Sequence, residues 1–305
     1  MTDHEPRPHT PRRVLITGAS GGIGSAAARY FAANGIAVTG LSLDRPSDDA
    51  CDRFVVGDAT SPDDVALALA DVDTVVHLAA LPHPSAGTPY AVYRTNVNAT
   101  FNVLNEAGNR GIRRAVVASS INASGISFNR HRAFPSYYPL DERIPADIED
   151  AYSLSKAAGE LTAGMAWRRW GTDVVSLRFP LVKDADVLRE AVEAATADPT
   201  REVREGWSYL DTRDAVRAIH LAATQPLSGA HVIGLSAADT LIDAPTERLL
   251  ARYAPGVPLR RPIPGNTSAV DNDLARAVLG FEPEHSIHHS TPADEQLAGT
   301  GAQER

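Results

Sequence analysis

Tyr152 and Lys156 stand four residues apart in Tyr152-Ser-Leu-Ser-Lys156. On a helix that spacing puts both side chains on one face, one turn apart. A free phenol, with a pKa of about 10, is a poor base at neutral pH. A neighbouring ammonium stabilises the phenolate and lowers that value. The pair therefore predicts a proton shuttle for a substrate hydroxyl. A polar group on the far side of the substrate oxygen completes such a set. Ser120 suits it, directly after an apolar run that reads as a strand. Ser119 is its neighbour, but adjacent strand residues point to opposite faces, so only one of the two serves. Asn96, inside a long helical stretch, can hold a water that relays protons from the lysine.

A second segment carries a different chemistry. Gly18-Ala-Ser-Gly-Gly-Ile-Gly24 follows an apolar run and opens a helical one. Small residues there let the backbone turn sharply, approach a pyrophosphate and pack helix on strand. The free amides of the helix start then face the phosphates. A glycine triplet alone is weak, and the strand before and helix after strengthen it. Asp44 lies 20 residues after Gly24, at the end of the second strand. A carboxylate there accepts hydrogen bonds from the adenosine ribose and repels a 2′-phosphate, which favours NAD over NADP. Arg45 beside it works against that preference by offering a phosphate partner. Asp58, after the third strand, suits an adenine contact, and equally a turn or helix cap.

These groups need a scaffold. Apolar runs at Arg13–Thr17, Ala37–Leu43, Phe54–Val56, Thr74–Leu78, Arg114–Ser119 and Val174–Phe179 lack alternation and read as buried strands. Helical patterns at Ile23–Asn34, Pro62–Leu69, Tyr90–Asn109 and Asp150–Trp170 lie between them. The alternation predicts an α/β fold, a doubly wound parallel sheet of the Rossmann type, over residues 12–180. Beyond Pro180 the rhythm changes. Helices at Val187–Ala197, Thr212–Thr224, Thr246–Tyr253 and Asn272–Leu279 alternate with loops and short strands. His231–Gly234 is expected to return to the main sheet. Residues 181–290 thus read as a mixed, substrate-binding region, a small C-terminal lid over the carboxyl ends of the strands. Residues 1–11 and 291–305 read as flexible tails.

Composition narrows the partners. With 305 residues, 43% hydrophobic and a formal net charge of −9, the chain reads as globular and has no bulk electrostatic reason to bind nucleic acid or an anionic membrane. No apolar stretch reaches the roughly 18–20 residues of a membrane span, and the N-terminus lacks the apolar core of a secretory signal. One cysteine, Cys51, excludes an intramolecular disulfide and a multi-cysteine zinc site. These features suit the cytoplasm. His285, His288 and His289 cluster near the C-terminus and read as surface residues, with no metal expected.

The ordered motifs resemble the extended short-chain dehydrogenase/reductase family, also described as the NAD-dependent epimerase/dehydratase family. The matching segments are Thr17–Gly24, Val76–Ala80, Asn96–Thr100, Ser119-Ser120 with Gly125 five residues on, Tyr152–Lys156 and Tyr209–Asp214. The resemblance implies an acid/base Tyr152, a Lys156 that also anchors the cofactor ribose, and Ser120 as ligand of the substrate oxygen. It implies cofactor contacts from Gly18, Ser20, Gly21, Gly22, Ile23, Gly24, Asp44, Asp58, Ala59, Leu78, Ala79, Ala80 and Pro180. His77 is expected to be buried in its strand rather than catalytic. Helices 90–109 and 150–170 are the pair that relatives use for a two-fold dimer, so a homodimer is expected.

Nucleotide-sugar enzymes of that family commonly carry an Asn and a Gly-Pro pair after the sixth strand. Leu177-Arg-Phe-Pro-Leu-Val-Lys183 has neither. That departure looks more like uronate and aldose dehydrogenases, which oxidise a free sugar to a lactone. Ser120, Asn122 and Ser124 can contact a polyol, and Arg178 either pairs a substrate carboxylate or forms a structural salt bridge. Residues 128–138 form a candidate specificity loop. Trp207 and Tyr209 either stack on a sugar or fill the core. Two other readings stand beside this one: a nucleotide-sugar 4-epimerase with recycled NAD, and a non-catalytic cofactor sensor.

Overall fold

A computed structural model describes residues 9–131 and 133–289. Most of the two expected tails falls outside those residues. The described start of the first one packs on the body: the His9 ring bonds Thr74 Oγ1 at 2.7 Å.

The chain runs β1 (Arg13–Thr17), α1 (Gly22–Ala33), β2 (Ala37–Ser42), β3 (Arg53–Val56), α2 (Pro62–Ala68), β4 (Thr74–His77), α3 (Pro89–Asn109), β5 (Arg114–Ser120), α4 (Ala151–Trp170) and β6 (Asp173–Phe179). There follow β7 (Leu181–Lys183), α5 (Ala185–Ala197), β8 (Tyr209–Asp211), α6 (Thr212–Thr224), β9 (Ala230–Gly234), α7 (Thr246–Tyr253) and α8 (Asp273–Leu279). Seven strands form one parallel sheet in the order β3-β2-β1-β4-β5-β6-β9. The expected return of residues 231–234 to this sheet is β9, paired with β6.

Strand order reverses between β1 and β4, so their carboxyl ends open a crevice where open α/β sheets bind ligands. Alternation along the strands splits the core. Val14 and Ile16 face α1, α6 and α8, packing with Phe31, Ile219 and Phe281. Leu15 faces the other way, with Val75, Val103, Leu104 and Ala163. Arg114, fully buried at the start of β5, donates from Nη1 to the carbonyls of Ala222 and Gln225 at 2.9 Å each, satisfying acceptors at the end of α6.

A third apolar cluster lies in the C-terminal region and takes in Tyr138, Trp207, Tyr209, Leu241 and Ile263. Trp207 and Tyr209 both belong to this core. A separate two-stranded parallel sheet, β7 with β8, joins the regions; three-residue strands carry no readable periodicity. The histidines near the C-terminus depart from the surface expectation. His285 is buried, and its amide and that of Glu284 both donate to Asp214 Oδ2 at 2.9 Å. His288 Nε2 bonds the Thr240 carbonyl at 2.8 Å. Asp214, with no exposed surface, straps this segment to α6. Among the described residues no cluster of His, Cys, Asp and Glu could hold a metal ion, and no helix is long and apolar enough to cross a membrane.

Candidate active site

The glycine turn connects β1 to α1 at the crevice. Gly18 has φ +71°, and a Cβ there would stand 2.9 Å from the Ala79 amide nitrogen after β4. A Cβ on Gly24 would stand 2.0 Å from the Gly18 carbonyl oxygen. Helix α1 begins without a side-chain cap and without an acidic residue in its first turn. Its amides and its positive dipole end are therefore left for an anion. Gly21 is the cap position, Gly22 faces open space, and Ile23 packs against the core. The cradle fits a dinucleotide diphosphate.

Asp44 lies just beyond β2, and its carboxylate accepts from the Ser20 hydroxyl at 3.1 Å. Arg45 is held elsewhere: its Nε pairs with Asp49 at 2.6 Å, and its guanidinium sits 5.5 Å from the centre of the Phe54 ring. The exposed carboxylate thus stands without a competing free guanidinium, the arrangement that suits an unphosphorylated ribose. Asp58 is a turn residue. It accepts from the Thr60 amide at 2.8 Å, and its own amide donates to Asp64 at 2.8 Å. Ala59 is buried in the core. Pro180 follows directly on β6.

Thr17 Oγ1 accepts from the amides of Leu78 and Ala79, each at 3.2 Å. Its own proton then goes to His77 Nδ1 at 2.8 Å. His77 Nε2 donates to Thr100 at 3.1 Å, which donates to the Asn96 carbonyl at 2.9 Å. Burial, with the Lys156 charge nearby, lowers His77 to about 3, so the ring is neutral, as this chain of bonds requires. His77 is structural: it ties the ends of β1 and β4 to α3.

Helix α4 starts at Asp150, whose side chain accepts from the Ser153 amide at 2.9 Å. This cap fixes Tyr152 in the first turn and Lys156 one turn on, against the end of β5. Lys156 Nζ donates to the Ala118 carbonyl at 2.7 Å and lies 5.7 Å from the centre of the Tyr152 ring. Burial lowers Lys156 to about 8. The Tyr152 phenol is raised by burial, with a hydrogen bond from Ser120 acting against that rise and Glu205 and Asp150 adding to it. The expected downward pull of Lys156 on the phenol is not expressed here, because the ammonium is turned onto a backbone carbonyl. Ser120 Oγ accepts from the Asn122 amide at 3.1 Å, which leaves its proton for the phenol oxygen.

Asn96 takes a place other than the expected relay. Its Oδ1 accepts from the Leu81 amide at 2.8 Å, and its Nδ2 donates to the Leu81 carbonyl at 3.1 Å and to Ser155 at 3.0 Å. It clamps the loop after β4, lining with Leu78, Ala79, Ala80 and Lys156 a cavity of about 10 Å³, the threshold for a single water.

Arg178 forms a structural salt bridge. Its Nε and Nη2 each meet Glu160 at 2.8 Å, an in-plane bidentate pair, so it is not available to a substrate carboxylate. Glu160 Oε1 also accepts from Ser119 at 2.6 Å. That bond settles which serine serves: Ser119 is committed behind the strand, and Ser120 faces Tyr152. Glu160 continues the helix face of Tyr152 and Lys156 at a spacing of four, a signal present in the sequence and passed over. Both ends of the Glu160–Arg178 pair are largely buried. Glu160→Ala strands the guanidinium, so unfolding free energy should fall by about 3–5 kcal/mol in urea titration.

Asn122 Oδ1 is buried without a partner, next to Ser120. Phe128, in the expected specificity loop, sets its ring against Tyr152 and His83. Tyr137 and Tyr138 of the same loop are core residues.

Comparison with known proteins matches this geometry. L-arabinose 1-dehydrogenase (NAD(P)(+)) of Haloferax volcanii is 28% identical over 200 residues, 64% of this chain and 76% of the relative. Uronate dehydrogenase of Pseudomonas putida is 26% identical over 173 residues, 55% of this chain and 60% of the relative. A crystal structure of a short-chain dehydrogenase/reductase superfamily protein from Agrobacterium tumefaciens with bound NAD superposes with a TM-score of 0.70 at 24% identity, over 96% of this chain and 100% of that one. Residues 14–234 match the family model described as NAD dependent epimerase/dehydratase, and the chain belongs to that family.

Proposed function

We propose that this chain is an NAD-dependent oxidoreductase that oxidises a hydroxyl of a free sugar, with Tyr152 as acid/base. The observation that carries this reading is the meeting of Ser120, Tyr152 and Lys156 at one strand end beside a glycine cradle. NAD is the cofactor; when bound it supplies the acceptor for the hydride. The first-turn amides of α1 hold its diphosphate, Asp44 its adenosine ribose and Lys156 its second ribose. Moving the Lys156 ammonium off the Ala118 carbonyl brings its charge to the phenol and lowers the phenol's pKa. Ser120 orients the substrate oxygen, and Tyr152 takes its proton. The two named relatives act on an aldose and a uronate, which supports a sugar substrate.

The chain pairs with a second copy through α3 and α4. Tyr90, Tyr93 and Phe101 on one helix and Leu154, Leu161 and Trp167 on the other leave apolar surface exposed.

A panel of aldoses, uronic acids and nucleotide sugars, each with NAD and NADP, tests the reading. It is supported by net reduction of NAD with a free sugar, and overturned by turnover of a nucleotide sugar without net reduction. Asp44 has its own expected outcome. Asp44→Ala removes charge-assisted hydrogen bonds to the ribose, so the Kd for NAD rises about tenfold or more while that for NADP changes less, as measured by calorimetric titration.

A further inference from the structure

Glu205 is a carboxylate at the site that the acid–base set does not use. It ends a short 3-10 turn, Val203–Glu205, which the Tyr138 hydroxyl holds by donating to the Val203 carbonyl at 2.6 Å. Its carboxylate accepts a hydrogen bond from Ser127. The next residue, Phe128, packs edge-on against Tyr152, with ring centres 6.3 Å apart and planes at 80°. One contact layer thus runs from Glu205 through the 127–128 backbone to the catalytic phenol. The charge is felt there: Glu205 raises the Tyr152 phenol.

The surroundings do not neutralise this carboxylate. Among the described residues it forms no ion pair, and Glu202 is a like charge close by. The adjacent Arg204 donates to the Asn129 carbonyl at 3.3 Å. Burial pushes Glu205 up to about 7. Asn122 Oδ1 is a second acceptor, buried and unpartnered. Both groups lack what substrate hydroxyls provide, a donated proton. A substrate carboxylate would find neither a donor nor a cation there, since Arg178 is spent on Glu160.

We propose that Glu205 and Asn122 form a polyol subsite that selects a neutral aldose over the corresponding sugar acid. Glu205 accepts substrate hydroxyls and repels a carboxylate; the assignment rests on the sugar-oxidising reading above. It separates the two relatives' substrate classes, an aldose from a uronate, for this chain.

The test is kcat/KM with NAD for matched pairs, D-galactose against D-galacturonate and D-glucose against D-glucuronate. The unmodified protein should favour the aldose of each pair by about tenfold or more, as a like charge at the site dictates. Glu205→Gln should narrow that ratio about tenfold by raising the uronate value, with the Kd for NAD unmoved. Glu205→Asp should keep the ratio, which a merely structural role would not require. A uronate preference in the unmodified protein, or an unchanged ratio in Glu205→Gln, overturns the assignment alone. Binding of NAD with no reduction by any free sugar overturns the sugar-oxidising reading, and this assignment with it.

Discussion

Tyr152→Phe should lower kcat for sugar oxidation by about 10²–10⁴-fold, the range of one positioned acid/base. The ring stays, so the packing against Phe128 stays, and only the hydroxyl that meets Ser120 is removed. Affinity for NAD should be nearly unchanged, because the diphosphate rests on α1 and the ribose on Asp44. Steady-state kinetics beside a titration with NAD separates the two. The pH profile carries the same signature. Burial brings Lys156 down to about 8 and lifts Tyr152. As a unit the pair therefore gives up its first proton near pH 8, and kcat/KM for oxidation should rise through that region and level above it. The residual activity of Tyr152→Phe should lack that rise. A kcat within a few-fold of the unmodified protein would remove Tyr152 from the chemistry and favour a cofactor-binding role without catalysis.

Gly24→Ala should be the most damaging single methyl group in the cofactor cradle. The added Cβ would lie 2.0 Å from the Gly18 carbonyl oxygen and 2.8 Å from its carbon, both backbone atoms that cannot swing aside. Helix α1 must retreat from β1, at a cost of about 3 kcal/mol or more from overpacking. The amides meant for the diphosphate move with it, so the Kd for NAD should rise at least about tenfold. Gly22→Ala is the control. Its Cβ meets nothing within 4 Å, and stability should change by less than about 1 kcal/mol. Equal effects at the two positions would mean that flexibility, rather than close approach, is what the turn requires.

Much of the scaffold is legible in the residue pattern because buried parallel strands advertise themselves. Val14-Leu-Ile16 and Val75-Val76 are apolar on both faces, and helices between them force parallel crossovers. The glycine turn and the Tyr152–Lys156 pair are readable because each is local. Their chemistry is fixed by neighbours within a few residues. Long-range pairings are not readable in this way. Arg178 looks equally suited to a substrate and to a salt bridge until β6 brings it against Glu160 on α4. Asn96 looks like a relay until the loop after β4 folds back onto it. Glu205 gives no signal, because Ser127 and Tyr152 are far from it in the chain. The C-terminal histidines mislead for a related reason. A polar segment reads as solvent-exposed, whereas the buried acceptor Asp214 lies some seventy residues earlier. Composition can rank exposure, but it cannot locate a distant partner.

The account's central claim is that this chain moves a hydride from a sugar carbon to NAD and does not return it to the same sugar. Transfer of label tests that directly. An aldose carrying deuterium at its anomeric carbon is turned over with NAD, and both products are recovered. The account predicts one deuterium in the reduced nicotinamide, formed in proportion to the oxidised sugar. Deuterium kept on a rearranged sugar, with no reduced nicotinamide accumulating, would contradict it.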